Sequence, residues 1–128
     1  MSAARVLEAE RESTRTATVS AAETARVLRG RRAVVFDLDG TLADTLPDMM
    51  VAMNAALAEL GAAGVPPIVV RTTLHGGLEA SAAGAIAYLG LPASMTEPLA
   101  IAYAKHYARA PARRASAYED VSALLDRL

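Results

Sequence analysis

Two aspartates stand one residue apart, directly after a short apolar run. The run is Val34–Phe36, whose β-branched and aromatic side chains predict a buried strand, and Asp37 and Asp39 follow it. Residues two apart in a strand point to the same side, and Gly40 permits a sharp turn there, so both carboxylates can converge on one small space. Because two like charges held that close are unfavourable without a cation, the pair predicts a site for a hard ion such as Mg²⁺.

A carboxylate pair of this kind can carry phosphoryl chemistry once a metal is bound. One carboxylate can then attack a phosphorus atom, and the other can pass protons. The alternative is a solvated acidic turn whose carboxylates only help to begin the following helix. Acids at the carboxyl end of a buried strand lie where open α/β sheets bind their ligands, which favours the chemical interpretation.

Composition excludes several other classes of protein. The chain has 128 residues, enough for one domain, and is 53% hydrophobic and 21% charged, as in globular proteins. A net charge of −1 gives nucleic-acid binding no electrostatic support. The absence of cysteine excludes disulfides and thiol catalysis, and no apolar run approaches the roughly 20 residues of a membrane span. We therefore expect a cytoplasmic protein that binds neither nucleic acid nor membrane.

Apolar spacing predicts five or six helices besides the one strand. Thr45 is predicted to cap the first, with Asp48 three residues on and Gly61 as its end. The apolar residues of this helix are spaced alternately four and three positions apart, which places them on one face. That face comprises Leu46, Met50, Met53, Leu57 and Leu60. Further helices are predicted over 78–89 and from a capping box at 94–97.

The remaining segments are shorter and less regular. Capping boxes at 20–23 and 116–119 predict a helix before the strand, ending at Gly30, and a last helix after residue 119. Ile68–Leu74 is ambiguous, because five of its seven residues are β-branched and favour a strand, whereas its helical surroundings favour a short helix. The helix is the interpretation preferred here.

The string Asp37-Leu38-Asp39-Gly40-Thr41-Leu42, followed by Asp44-Thr45, resembles the first signature of the haloacid dehalogenase (HAD) superfamily. Its longer context, from Val35 to Asp48, resembles the phosphoglycolate phosphatase-like branch. The resemblance implies an α/β fold, a HAD-like Rossmannoid core of which only the first strand is present, with an inserted α-helical cap. It divides the chain into an N-terminal extension (1–30), the nucleophile loop (31–45), the cap (46–114) and a return helix (115–128).

The resemblance also implies roles for individual residues. Asp37 matches the nucleophile that forms an aspartyl-phosphate and ligates Mg²⁺. Asp39 matches the general acid and base, whose backbone carbonyl is a second metal ligand; because dehalogenases of carbon–halogen bonds lack an acid there, phosphoryl transfer is favoured. Thr41, beside Gly40, matches a residue that positions the phosphate of a small phosphorylated metabolite. In the cap, Arg71-Thr72-Thr73-Leu74-His75-Gly76-Gly77 occupies a position that faces the active site in similar proteins, so Arg71 and His75 are candidate substrate contacts.

Three later parts of the family's catalytic domain have no counterpart before Leu128: a phosphate-binding Ser or Thr, a lysine and a second acidic pair. The only lysine is Lys105, within the presumed cap, and Glu119-Asp120 stands where relatives carry Pro-Gly. The sequence is therefore interpreted as an amino-terminal fragment. Two alternatives stay open: a non-catalytic relic or helical interaction module, self-associating or completed by a partner that supplies strands, and a sugar phosphomutase.

Overall fold

The computed structural model describes residues 26–109 and 112–128. Two-residue strands, β1 (Ala43–Asp44) and β2 (Ser116–Ala117), pair antiparallel. The helices are α1 (Leu46–Glu59), α2 (Pro67–Arg71), α3 (Gly77–Leu89), α4 (Thr96–Arg109) and α5 (Val121–Leu125). Short 3₁₀ turns at Leu74–Gly76 and Ala93–Met95 precede α3 and α4. Helix α4 packs against both α1 and α3, and α2 packs against α1 and α3.

The hydrophobic core lies among these four helices. Its buried residues fall between Met49 and Tyr103. The largest fully buried side chains are Tyr103, Met53, Leu57, Leu99 and Val70. Helix α3 contributes small buried residues, such as Ala82 and Ala85, which allow close helix packing. Glycines end the helices as predicted, with Gly61 at φ +69° and Gly90 at φ +65°, a region that favours glycine.

The ambiguous segment Ile68–Leu74 begins as helix α2, which confirms the helical interpretation. Pro67 opens the helix, where its missing N–H costs nothing. Val70 is fully buried, so packing within the bundle outweighs the β propensity of the segment. The Thr72 hydroxyl donates hydrogen bonds to the carbonyls of Ile68 (3.0 Å) and Val69 (3.2 Å) and satisfies them at the end of the helix.

Two predicted helix caps are wrong. Thr45 precedes α1, but its side chain makes no capping bond and its Oγ1 is buried without a hydrogen-bond partner. Asp44 takes that role, because its Oδ1 accepts a hydrogen bond from the Leu46 N–H at 3.2 Å. Ser116 belongs to β2, and the last helix begins only after Asp120. The capping box at 20–23 lies outside the described residues, whereas residues 26–28 are helical and Gly30 follows at φ +76°.

The strand predicted at Val34–Phe36 is not formed. Residues 33–38 have no regular secondary structure, and Val35 is 95% exposed. A strand needs a neighbour for its backbone N–H and C=O groups, and in the described part of the chain β1 and β2 pair only with each other. The return helix is similarly uncovered, since Leu125 and Leu128 are exposed. None of the helices in the described ranges has the length and apolar character needed to cross a membrane.

Candidate active site

The acidic turn, residues 37–43, folds around one backbone carbonyl. The Leu38 C=O accepts hydrogen bonds from the N–H groups of Thr41 (3.2 Å), Leu42 (3.0 Å) and Ala43 (3.0 Å). The Gly40 N–H donates to the Ala43 C=O at 2.8 Å, which closes the turn from the other side. Gly40 has φ +76°, where a Cβ is strained, so the turn requires glycine at this position.

The turn leads directly into a narrow ribbon that joins two distant parts of the chain. Asp44 pairs with Ser116 and Ala43 with Ala117 in the β1–β2 ladder. The Tyr118 N–H extends the ladder by donating to the Leu42 C=O at 3.1 Å. The start and the end of the helical bundle therefore meet beside the acidic turn.

Asp37 and Asp39 differ in their surroundings. Asp37 is exposed, whereas Asp39 is partly buried and forms an isolated bridge with Ala43. Burial raises the pKa of Tyr107, and the negative charges of Asp39 and then Asp48 raise it further. The charge of Asp39 therefore acts on the end of helix α4 that carries Tyr107.

A tyrosine pair on α4 borders this acidic region. The ring centroids of Tyr103 and Tyr107 are 6.2 Å apart, and the rings are tilted by 56°. Burial raises the pKa of Tyr103 to about 12, with smaller contributions from Tyr107 and from the charge of Asp39. With raised pKa values, both hydroxyls are protonated at neutral pH.

Asp37 and Asp39 fit Mg²⁺ in the chemistry of their oxygen atoms. Mg²⁺ is usually held by one or two carboxylates, with water and substrate phosphate completing its octahedral shell. Among the described residues, no group of three or more His, Asp or Glu side chains could enclose a metal ion. The acidic turn carries two carboxylates, a ligand set that Mg²⁺ accepts in proteins.

The structure brings four of the predicted site residues onto one turn: Asp37, Asp39, Gly40 and Thr41. A groove with a volume of about 780 Å³ runs beside it, between Phe36, Thr41 and the segment 118–127. Arg71 ends helix α2 with an exposed side chain, and within the described ranges it has no ion pair. His75 lies in the 3₁₀ turn before α3. The roles of Arg71 and His75 as substrate contacts stay predictions.

Sequence reasoning missed the role of Asp48. Its side chain is only 4% exposed, and both of its oxygens accept hydrogen bonds from backbone N–H groups some 66 residues later in the chain. The sequence interpretation had treated Asp48 only as part of the first turn of α1. A usable signal was its spacing, because Asp48, Ala52 and Ala56 follow one another at four-residue intervals on the buried face.

The fold and these residues can now be compared with known proteins. Residues 34–128 match the family model described as haloacid dehalogenase-like hydrolase, which is well over half of the chain. The chain therefore belongs to the haloacid dehalogenase-like hydrolase family. The match begins at the apolar run before Asp37, so it includes the whole acidic turn.

Relatives within the family have phosphatase names. The chain is 37% identical over 101 residues to a phosphoglycolate phosphatase of Xanthomonas campestris pv. campestris, an alignment that covers 79% of this chain and 45% of that protein. It is 37% identical over 94 residues to an N-acetylmuramic acid 6-phosphate phosphatase of Pseudomonas putida, covering 73% of this chain and 42% of that one. The chain thus spans less than half the length of these relatives.

A solved structure shares the fold. The crystal structure of a predicted phosphoglycolate phosphatase from Haemophilus somnus 129PT superposes with a TM-score of 0.64 at 22% identity, covering 72% of this chain and 44% of that one. The fold class expected from the resemblance, a partial HAD-like α/β fold with an inserted helical part, is confirmed. The strand state of Val34–Phe36 differs from that expectation.

Proposed function

We propose that this chain carries the nucleophile loop and cap of a Mg²⁺-dependent phosphatase that acts on a small phosphate monoester similar to phosphoglycolate. The observation that carries the proposal is the pair Asp37 and Asp39 on a turn closed by Gly40, within the residues matched by the family model. The relatives' names support a phosphate monoester as the substrate class.

The proposed reaction has two steps at these residues. In the first, a carboxylate oxygen of Asp37 attacks phosphorus, the bond from phosphorus to the ester oxygen breaks, and Asp39 protonates that oxygen as the alcohol leaves. In the second, Asp39 takes a proton from water, which attacks the aspartyl-phosphate and releases inorganic phosphate while Asp37 is regenerated. Mg²⁺, held by the carboxylate of Asp37 and the backbone carbonyl of Asp39, would offset the negative charge of the phosphoryl group.

The helices α1–α4 would serve as the cap. Caps that close over a substrate exclude water and add specificity contacts. The β1–β2 ribbon is suited to connect the cap and the catalytic loop, because the chain enters the helices after β1 and leaves them before β2. Arg71 and His75 would contact the part of the substrate distant from the phosphate, and Thr41 would orient the phosphate itself.

A second candidate is a non-catalytic helical module that needs a partner or a second copy. Val35 is 95% exposed and Leu38 57% exposed, and both flank the aspartates. Apolar side chains exposed this close together mark a contact surface or a liability for aggregation. A strand supplied by a partner would pair with 34–36 and cover them. Light scattering after gel filtration separates the two states, since a stable monomer would contradict self-association.

The test of the phosphatase proposal is phosphate release by the purified chain from a panel of esters. The panel contains 2-phosphoglycolate, N-acetylmuramic acid 6-phosphate and a hexose phosphate, each with Mg²⁺ or with a chelator. We expect Mg²⁺-dependent release that Asp39→Asn lowers about 10²- to 10⁴-fold, the usual contribution of general acid–base catalysis. Isomerisation of the hexose phosphate without release would instead indicate a phosphomutase. Cell fractionation tests the accompanying proposal that the protein is cytoplasmic.

A further inference from the structure

Asp48 binds the backbone of the segment that returns from the helical bundle. Its Oδ2 accepts hydrogen bonds from the Ala115 N–H at 2.8 Å and the Arg114 N–H at 2.9 Å, and its Oδ1 also lies 3.1 Å from the Arg114 N–H. The side chain is 4% exposed. Bonds from N–H groups to an ionised carboxylate are stronger than neutral ones.

No side-chain cation neutralises this buried carboxylate in the described ranges. Arg113 and Arg114 are adjacent in sequence, but their side chains are exposed and neither forms an ion pair with Asp48. The negative charge of Asp48 is stabilised by backbone N–H groups and by its position in the first turn of α1, where the helix dipole favours an acid. An interaction built on backbone atoms fixes the course of the chain and is independent of side chains on the returning segment.

The Asp48 contacts hold the residues of the returning segment that directly precede β2. Tyr118 bonds to Leu42, Ala117 pairs with Ala43, and Ser116 pairs with Asp44. Ala115 and Arg114 then bond to Asp48, so the five consecutive residues 114–118 are all held along one line. Each strand of the ladder is only two residues long, and short two-stranded ribbons are marginally stable in water, so the Asp48 bonds add support that the ladder itself lacks.

We propose that Asp48 is a positioning residue for the acidic turn. It holds the segment that leaves the helical bundle against the start of α1, and this segment pairs with β1, so Asp48 sets the position of residues 39–43, which lead directly into β1. The catalytic meaning of this inference rests on the proposed phosphatase function, but the structural coupling between Asp48 and the turn does not.

The test is amide hydrogen exchange, followed by NMR, on the full chain and on Asp48→Ala, Asp48→Asn and Glu59→Ala. Glu59 is the matched control, because it is another acid of α1 that bonds to α4 from an exposed position. In Asp48→Ala we expect exchange at Arg114 and Ala115 to rise roughly 10- to 100-fold, as for the loss of hydrogen bonds to a charged group. The exchange rates of the Gly40 and Ala43 amides should rise as well, whereas the exchange rate of the buried Leu57 amide should not.

Asp48→Asn should raise these exchange rates less, because its one remaining oxygen can keep the two short hydrogen bonds. This variant replaces Asp48→Ala in the test if the alanine variant does not fold. Glu59→Ala should leave the Gly40 and Ala43 amides unchanged. Faster exchange at 114–115 with no change at Gly40 and Ala43 would overturn the positioning role, as would a parallel rise at every amide. These readouts need no turnover, so they remain decisive if the chain releases no phosphate.

If phosphate is released, the same variants give a kinetic readout. A positioning role predicts that Asp48→Ala lowers kcat more than it raises KM, since the turn and not the substrate contacts is displaced. Asp48→Asn should restore part of kcat. A rise in KM alone, with kcat unchanged, would contradict the positioning role of Asp48.

Discussion

The Lys105 ammonium lies 2.9 Å from Oε1 of Glu59, which is 46 residues earlier in the chain, and the pair joins the carboxyl-terminal ends of α1 and α4. His106 Nε2 lies 2.8 Å from the other oxygen of the same carboxylate. Hydrogen bonds from Lys105 and then His106 lower the pKa of Glu59 below its ordinary value of 4.5.

This lowered pKa predicts a small, acid-sensitive contribution to stability. Because the folded-state pKa lies below the unfolded one, the contribution is present above about pH 4.5 and is lost as the pH falls through the folded value. Thermal unfolding of the chain and of Glu59→Gln should therefore differ at neutral pH and converge in acid. A difference that persists unchanged to the lowest pH would contradict the ion-pair account; added salt should also shrink it, since the cluster is exposed.

Leu57 provides the sharpest test of the core. It is fully buried in the hydrophobic core, so Leu57→Ala should lower the free energy of unfolding by about 2–5 kcal/mol through lost burial and a residual cavity. Urea denaturation followed by circular dichroism measures this. Val51→Ala is the matched control on the same helix; its side chain is 44% exposed, and a change within about 0.5 kcal/mol is expected. Equal losses for the two variants would mean that α1 is not packed as described.

The raised pKa of Tyr103 predicts how the stability of the chain changes at alkaline pH. Its pKa is raised from 10.0 to about 12, so the stability that its neutral hydroxyl contributes is complete below about pH 10 and is lost as the pH rises toward 12. We expect the melting temperature to fall over this range and Tyr103→Phe to flatten the fall. Tyr88→Phe, at an exposed position of α3, is the control and should leave the profile unchanged. The prediction fails if Tyr103→Phe melts with the same pH dependence as the unsubstituted chain.

Gly40 and Gly61 have similar backbone angles but different surroundings. Both have positive φ, +76° and +69°, and open space where a Cβ would lie, so alanine at either position should cost on the order of 1 kcal/mol of stability through backbone strain. Only Gly40→Ala should also disturb the acidic turn, seen as changed amide shifts of Thr41 and Ala43 and a lower rate of phosphate release. Identical spectra for the acidic turn in both variants would remove the special role assigned to Gly40.

The sequence predicted well what local spacing determines. The apolar face of α1 and the glycines that end α1 and α3 follow from apolar periodicity and from φ preferences. The acidic turn followed from residue types, because glycine is the residue that most readily adopts the positive φ of position 40. The ambiguity of Ile68–Leu74 reflected a conflict that only tertiary packing resolves.

What depended on distant partners could not be predicted. Val34–Phe36 has the composition of a strand, but composition does not supply a neighbouring strand to pair with. The bond from Ala115 to Asp48 crosses 67 residues, and the β1–β2 ladder has no periodic pattern because each strand is two residues long. Thr45 and Ser116 looked like caps in sequence because capping rules consider neighbouring residues and not the segments that pass beside them.

The central claim is that Asp37 is the nucleophile of a Mg²⁺-dependent phosphatase. The most direct measurement is phosphate released from 2-phosphoglycolate by the purified chain, with Mg²⁺ or with a chelator, compared with Asp37→Asn. The account predicts release that requires Mg²⁺ and that falls to background in Asp37→Asn, a change that retains the size of the side chain but removes the attacking carboxylate. Release that is equal in Asp37→Asn, or release that the chelator leaves unchanged, would contradict it.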